Sequence, residues 1–215
     1  VIDACASKYL SCDVVGVVSS KTDAYGIQRA RRAHIPFETV CSRDFNGSRH
    51  DYDCRLLTTV KNYRPDLVVC AGFMRVLTSA FIDTYRGRLI NLHPSLPGGL
   101  IGTDCIKRTW NLYNGIISPN EACWEGVPKE DIMKKLSGAM VHQVVEDVDM
   151  GTPIATMNVN IEENDTFEDY ENRFHLAERS LLVSTLKSLS DNVEENDFVS
   201  LDENVEMQKF QTGKV

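Results

Sequence analysis

The segment Asn91-Leu92-His93-Pro94 holds the most chemically suggestive pairing of residue types in the chain. On a strand, residues two apart point to the same face, so Asn91 and His93 project together. A side-chain amide beside an imidazole suits acyl transfer, in which one group donates to a developing oxyanion and the other moves a proton. Asp149 is the natural third member, because a carboxylate near an imidazole stabilises its protonated form. It ends the run AMVHQVVEDVD, immediately before Met150-Gly151. Each residue also has a plainer reading: His93 as a hydrogen-bonded histidine at a strand end, Asn91 as a turn residue, Asp149 as the start of a turn with Gly151. Taken alone, Asn91 and His93 fit the plainer reading better, and spacing does not show that Asp149 reaches His93.

Other polar residues are less informative. Arg75, in AGFMRVL, follows an apolar run and could bind an anion or only cap a helix end. His142, on a strand of alternating character, reads as a packed histidine rather than a catalyst. His34, His50 and His175 have no metal-ligand spacing, and the seven cysteines include no CxxC pair, so no metal is expected. Several cysteines, such as Cys70 in LVVCAGF, sit in apolar runs where a thiol behaves as a small hydrophobe. Reduced thiols in a cytoplasmic protein are the expectation. No GxGxxG or GxxxxGK[ST] run is present, which argues against a standard dinucleotide or nucleoside-triphosphate site.

Apolar runs alternate with amphipathic segments, the pattern of an α/β fold on a mostly parallel sheet. The opening VIDACASKYL reads as a helix, and the β-branched run Val14–Ser20 as a strand covered on both faces. Asp23 is the expected cap of a helix, DAYGIQRARRA, which exits at Pro36 toward a short strand, PFETV. A helix from about Arg49 to Tyr63 ends at Pro65 and feeds the strand DLVVCAGF. TSAFIDTYRG is the next helix, with Thr78 or Ser79 as cap and Gly87 as stop. The strand Leu89–Ser95 then stops at the Pro- and Gly-rich turn PSLPGGLIG, placing Asn91 and His93 at its carboxyl end, where open α/β sheets bind ligands.

A helix from about Thr103 to Tyr113 precedes an irregular insertion, 114–137, with one helical turn expected at PKEDIMKKL. AMVHQVVEDVD and TPIATMNVNI should pair as a hairpin near Gly151. A long helix, Thr166 to about Ser190, opens with acidic residues suited to its positive end and closes the domain, 1–190. The remainder, 191–215, reads as an acidic tail, disordered or loosely docked.

At 215 residues the chain can bury the core of one domain. Its net charge of −8 disfavours nucleic-acid partners, which need a basic face. No apolar stretch reaches the roughly 20 residues that span a bilayer.

From Val1 to about Ser190 the sequence resembles the glycinamide ribonucleotide formyltransferase family. SSKTDAYGIQRARRAHIPFETV is similar to that family's second strand and helix, SRHDYD to its SRExYD segment, and AGFMRVL to its folate-side loop. LINLHPSLPG resembles its catalytic strand and GAMVHQVVEDVDMGTPI its GxxVHxVxxxxDxGPII run. The form HPSLPG and the long insertion look more like the fungal than the bacterial branch. The resemblance implies a Rossmann-like formyltransferase fold and one-carbon transfer from 10-formyltetrahydrofolate, a co-substrate, to the amine of glycinamide ribonucleotide in purine biosynthesis. It places catalysis on Asn91, His93 and Asp149.

It also implies a folate pocket lined by Arg49, Met74, Arg75, Val76, Leu77, Val145, Glu146, Asp147 and Val148, and a ribonucleotide contact at Glu178. Arg179 stands where the family usually has histidine after that glutamate. Small-molecule substrates are the only partners implied. The family opens with a strand and a Gly-Ser turn that binds phosphate, and Val1 begins inside the helix that follows them. The expectation is therefore a chain lacking its first strand and phosphate loop, a fragment of a longer product. The competing expectations are a formyltetrahydrofolate hydrolase and a non-catalytic folate-binding protein. Folate hydrolases usually read YMQIL where this chain has FMRVL. A methionyl-tRNA formyltransferase would carry a C-terminal barrel in place of the acidic tail.

Overall fold

The computed structural model describes residues 1–191, and the region beyond the start of the acidic tail lies outside the described residues. Among the described residues, six strands and seven α-helices succeed one another in the expected order. Helix α1 (Ile2–Ala6) leads to β1 (Val17–Ser19), α2 (Tyr25–Arg32) and β2 (Phe37–Thr39). A 3-10 turn (Ser42–Phe45) precedes α3 (Arg49–Asn62), β3 (Val68–Ala71), α4 (Ser79–Thr84) and β4 (Leu89–His93). Then come α5 (Cys105–Tyr113), a second 3-10 turn (Pro119–Trp124), α6 (Lys129–Leu136), β5 (Gly138–Gln143), β6 (Pro153–Asn158) and the closing helix α7 (Phe167–Asp191).

The fold is α/β. β1 pairs with β2 in parallel, and a second sheet runs β3-β4-β5-β6, parallel at β3–β4 and antiparallel at the two later junctions. Among the described residues β1 has no partner but β2, and β3 none but β4, so each keeps one unpaired edge. The expected hairpin is β5–β6, with a register shift at Val141/His142.

Side chains of β4 alternate between two cores, as a strand with both faces covered requires. Leu89 packs with Tyr52, Leu56, Phe81, Ile82 and Tyr85 of α3 and α4 and the residue after. Ile90 packs on the other face with Tyr170, Phe174, Leu181 and Leu182 of α7. Tyr170 is fully buried, stacks on Trp110 at 5.8 Å, and shares a 2.8 Å hydrogen bond with Ser137. Asn91 and His93 share the Leu89 face, while Leu92 packs with the α7 core.

Three local readings need correction, and a fourth, the cap of α4, holds in position but not through its side chain. Asp23 does not cap α2: Ala24 is the N-cap residue and makes no side-chain cap bond, because Asp23 lies one residue too early to reach the first free N–H groups. The run Val14–Ser20 forms a ladder only over Val17–Ser19, where β2 pairs with it, and these three residues are half-buried rather than sandwiched. Thr78 holds the N-cap position of α4 but its side chain makes no cap bond. The insertion is more ordered than its polarity suggests, because α6 buries Ile132 and Leu136 against Leu100, Cys105 and Leu112. By contrast, the Ser48 hydroxyl caps α3, accepting from the Asp51 N–H at 3.2 Å.

Candidate active site

The register of β4 against β5 sets Asn91 directly opposite His142. Side chains facing one another across an antiparallel pair come within contact distance, and the Asn91 amide lies 3.1 Å from His142 Nε2. His142 Nδ1 lies 2.7 Å from the Gln143 carbonyl. A carbonyl only accepts, so Nδ1 carries the proton and Nε2, in the neutral ring, accepts from the Asn91 Nδ2–H. Burial pushes the His142 pKa below its usual value of 6.5, which agrees with the neutral ring. The 3.8 Å approach of His142 Nε2 to Asp149 is therefore not an ion pair. One Asn91 N–H is thus committed to His142, leaving the other N–H and the carbonyl oxygen for a ligand.

His93 occupies the end of β4 and is only 3 % exposed. Its Nδ1 lies 3.4 Å from Asp149 Oδ2, and its Nε2–H donates to the Leu100 carbonyl at 2.9 Å. Both ring nitrogens face acceptors, an arrangement the doubly protonated imidazolium satisfies. Asp149 also accepts from the Gly102 N–H at 3.0 Å. Its backbone is left-handed, with φ +57, in the tight turn that leads into β6. Gly151 allows that turn: a Cβ there would lie 1.7 Å from the Gln143 carbonyl oxygen. Close approach of backbone to backbone, not flexibility, requires glycine here.

Asn91, His93, Gly102, His142 and Asp149 line one wall of a cavity of about 220 Å³ at the carboxyl ends of β3 and β4. Met74, Arg75, Val76 and Leu77 line another, and Val144, Val145, Glu146 and Val148 a third. Met74, Val76, Val145 and Val148 are exposed, giving the mouth an apolar rim. Asp147 shares the last loop but is not among the lining residues. Arg49, the exposed first residue of α3, is also outside the lining. Glu178 lies on α7, where it pairs with His175 at 2.8 Å, and does not face the cavity.

Residues 1–186 match the formyl transferase family. The chain belongs to that family. Among its relatives, the phosphoribosylglycinamide formyltransferase of Dictyostelium discoideum is 35% identical over 202 residues, covering 88% of this chain and 90% of the relative. The enzyme of the same name from Escherichia coli (strain K12) is 32% identical over 191 residues, covering 89% and 80%. The crystal structure of phosphoribosylglycinamide formyltransferase from Bacillus halodurans superposes with a TM-score of 0.75 at 25% identity, covering 93% of this chain and 91% of that one.

Within this formyl transferase chain, several residues beside the site escaped the sequence reading. His142, read as a packed histidine, is buried but lines the cavity and orients Asn91. Leu100 and Gly102 contribute backbone groups only, for which a side-chain motif carries no signal. Asp53, buried within SRHDYD, accepts the Thr78 N–H at 2.6 Å and so ties down the end of the Met74–Leu77 loop. Its neighbour Tyr52 carries the Arg75 guanidinium over its ring at 5.3 Å. The motif thus acts partly through residues that never reach the cavity. Cys105 lies 3.9 Å from His93 Nε2, but burial pushes its thiol up to about 11, so it is a poor nucleophile. Among the described residues no cluster of His, Cys, Asp or Glu is arranged to hold a metal ion, and no helix is long and apolar enough to cross a membrane.

Proposed function

We propose that the chain transfers the formyl group of 10-formyltetrahydrofolate to the amine of glycinamide ribonucleotide, a step of purine biosynthesis. The observation that carries this reading is the buried His93–Asp149 couple set beside Asn91 in the wall of an apolar-rimmed cavity. Family membership and the named relatives, matched over most of their length, support the same reaction.

The substrate amine attacks the formyl carbon. A carbon–nitrogen bond forms, the bond to the folate nitrogen breaks, and one proton passes from the amine to that nitrogen. The free N–H of Asn91 donates to the oxyanion of the tetrahedral intermediate, and the positive charge of His93 stabilises it electrostatically. Asp149 holds that charge in place and, on its cavity side, relays the amine proton through water. The apolar walls at Met74–Leu77 and Val144–Val148 receive the flat pterin and exclude solvent. Arg75, exposed at the mouth on the ring of Tyr52, meets the carboxylates of the folate tail. Arg49, Asp147 and Glu178 lie outside the cavity lining, and the family resemblance, not the cavity, assigns the first two to the folate and the third to the ribonucleotide.

The test is formyl transfer followed by absorbance, with and without glycinamide ribonucleotide, beside a His93→Ala variant. Turnover that requires the ribonucleotide and falls about 10²- to 10⁴-fold in the variant is expected. Deformylation without the ribonucleotide would assign a hydrolase instead. Silence in both arms, with folate affinity retained, would leave a binding protein.

A further inference from the structure

The insertion holds one side chain that its polarity does not explain. Glu121, in the 3-10 turn Pro119–Trp124, is only 4% exposed. Its Oε1 accepts from Arg108 Nε at 2.8 Å and lies 2.7 Å from Arg108 Nη2. The third guanidinium nitrogen turns the other way. Arg108 Nη1 donates to the carbonyls of Ile101 at 2.8 Å and Thr103 at 3.2 Å. Those two carbonyls flank Gly102, whose N–H holds Asp149. Two residues before Gly102, the Leu100 carbonyl holds His93, and the Leu100 N–H is fixed by the Ser95 hydroxyl at 2.8 Å.

A planar guanidinium clamped along one edge presents its remaining donor in a fixed direction. We infer that Glu121 and Arg108 form a positioning pair that locks the Leu100–Thr103 loop and thereby sets the geometry of the His93–Asp149 couple. The insertion is then part of the catalytic apparatus without touching substrate. The inference rests on the proposed roles of His93 and Asp149.

The loop offers the couple a carbonyl on one side and an N–H on the other, spaced by two residues. If it turned, both contacts would be lost together. Displacements of about 1 Å in such groups lower turnover on the order of 10²-fold without weakening substrate binding to the same extent. A pair that served stability alone would leave the turnover of each folded molecule unchanged.

Three variants, Glu121→Gln, Arg108→Lys and their combination, test this beside His93→Ala. Arg108→Lys keeps a cation near Glu121 but offers a point charge that cannot hold both carbonyls. Turnover is measured per folded molecule, with the folded fraction taken from thermal melting. Each single variant should lose tenfold or more in kcat, with KM for the formyl donor and the amine within about twofold of wild type. The combination should be no worse than the worse single variant, because both act through one loop. If Glu121→Gln does not fold, Arg108→Lys decides alone. Normal kcat in the folded single variants, or losses that multiply in the combination, would overturn the inference while a dead His93→Ala left the active centre intact. Full activity in His93→Ala would overturn both.

Discussion

His142 shows how one buried side chain sets the state of another. Its neutral ring accepts from Asn91, so protonation would place two donors face to face and turn the amide. The groups around it are the Gln143 carbonyl, Asn91, Asp149 and His93, and burial outweighs the opposing pull of the first and third. The native pKa is depressed, so just below 6.5 the unfolded chain binds more protons at this position than the native one. The stability this residue contributes is therefore present above 6.5 and is lost as pH falls through its native pKa. Melting temperatures between about pH 8 and pH 5 should fall more steeply for the wild type than for His142→Asn. Parallel curves would mean that His142 protonates freely in the fold. Nothing in the residue types predicted this: a histidine on an alternating strand is ordinarily packing, and only the β4–β5 register sets it opposite Asn91.

At the scale of elements, the β5–β6 turn is the part most tightly constrained by the chemistry. Asp149 is left-handed, and Gly151 lies against the Gln143 carbonyl, so the strand reverses within a space that admits no side chain. In Gly151→Ala the turn has to open, moving Asp149 away from His93 and Gly102. We expect kcat to fall on the order of 10²-fold and the protein to melt earlier. Wild-type turnover in a folded Gly151→Ala protein would show that the turn does not set the couple. The hairpin itself was legible from two extended runs meeting at a glycine. The shortness of β1 was not, because a β-branched run marks strand propensity while the ladder length depends on which neighbours pair with it. The helix in the insertion was likewise underestimated. Its apolar residues, Ile132 and Leu136, are few, and their burial depends on the distant Leu100 and Leu112.

For the whole molecule, the two cores on opposite faces of β4 divide the labour. The α7 face carries stability through Tyr170 and Phe174, both fully buried, and the α3–α4 face carries the cavity. Phe174→Ala should cost about 3–5 kcal/mol of stability while leaving kcat of the folded protein close to wild type at low temperature. A loss of kcat equal to that of the active-site variants would show the two faces to be coupled. The α/β class, the order of elements and the family could be read from the residues alone, because hydrophobic period, glycine and proline punctuation and short motifs are local properties of the chain. The family motifs also marked Asn91, His93 and Asp149, although β5 ends at Gln143 and Asp149 lies in the loop beyond it rather than at a strand end. Folding in three dimensions was needed to show that Asp149 of the β5–β6 loop meets His93 at the end of β4, that His142 orients Asn91, and that Glu121 reaches the Leu100–Thr103 loop through Arg108. Those contacts join residues from 13 to 56 positions apart, and they are made by register, backbone carbonyls and burial, none of which a side-chain pattern records.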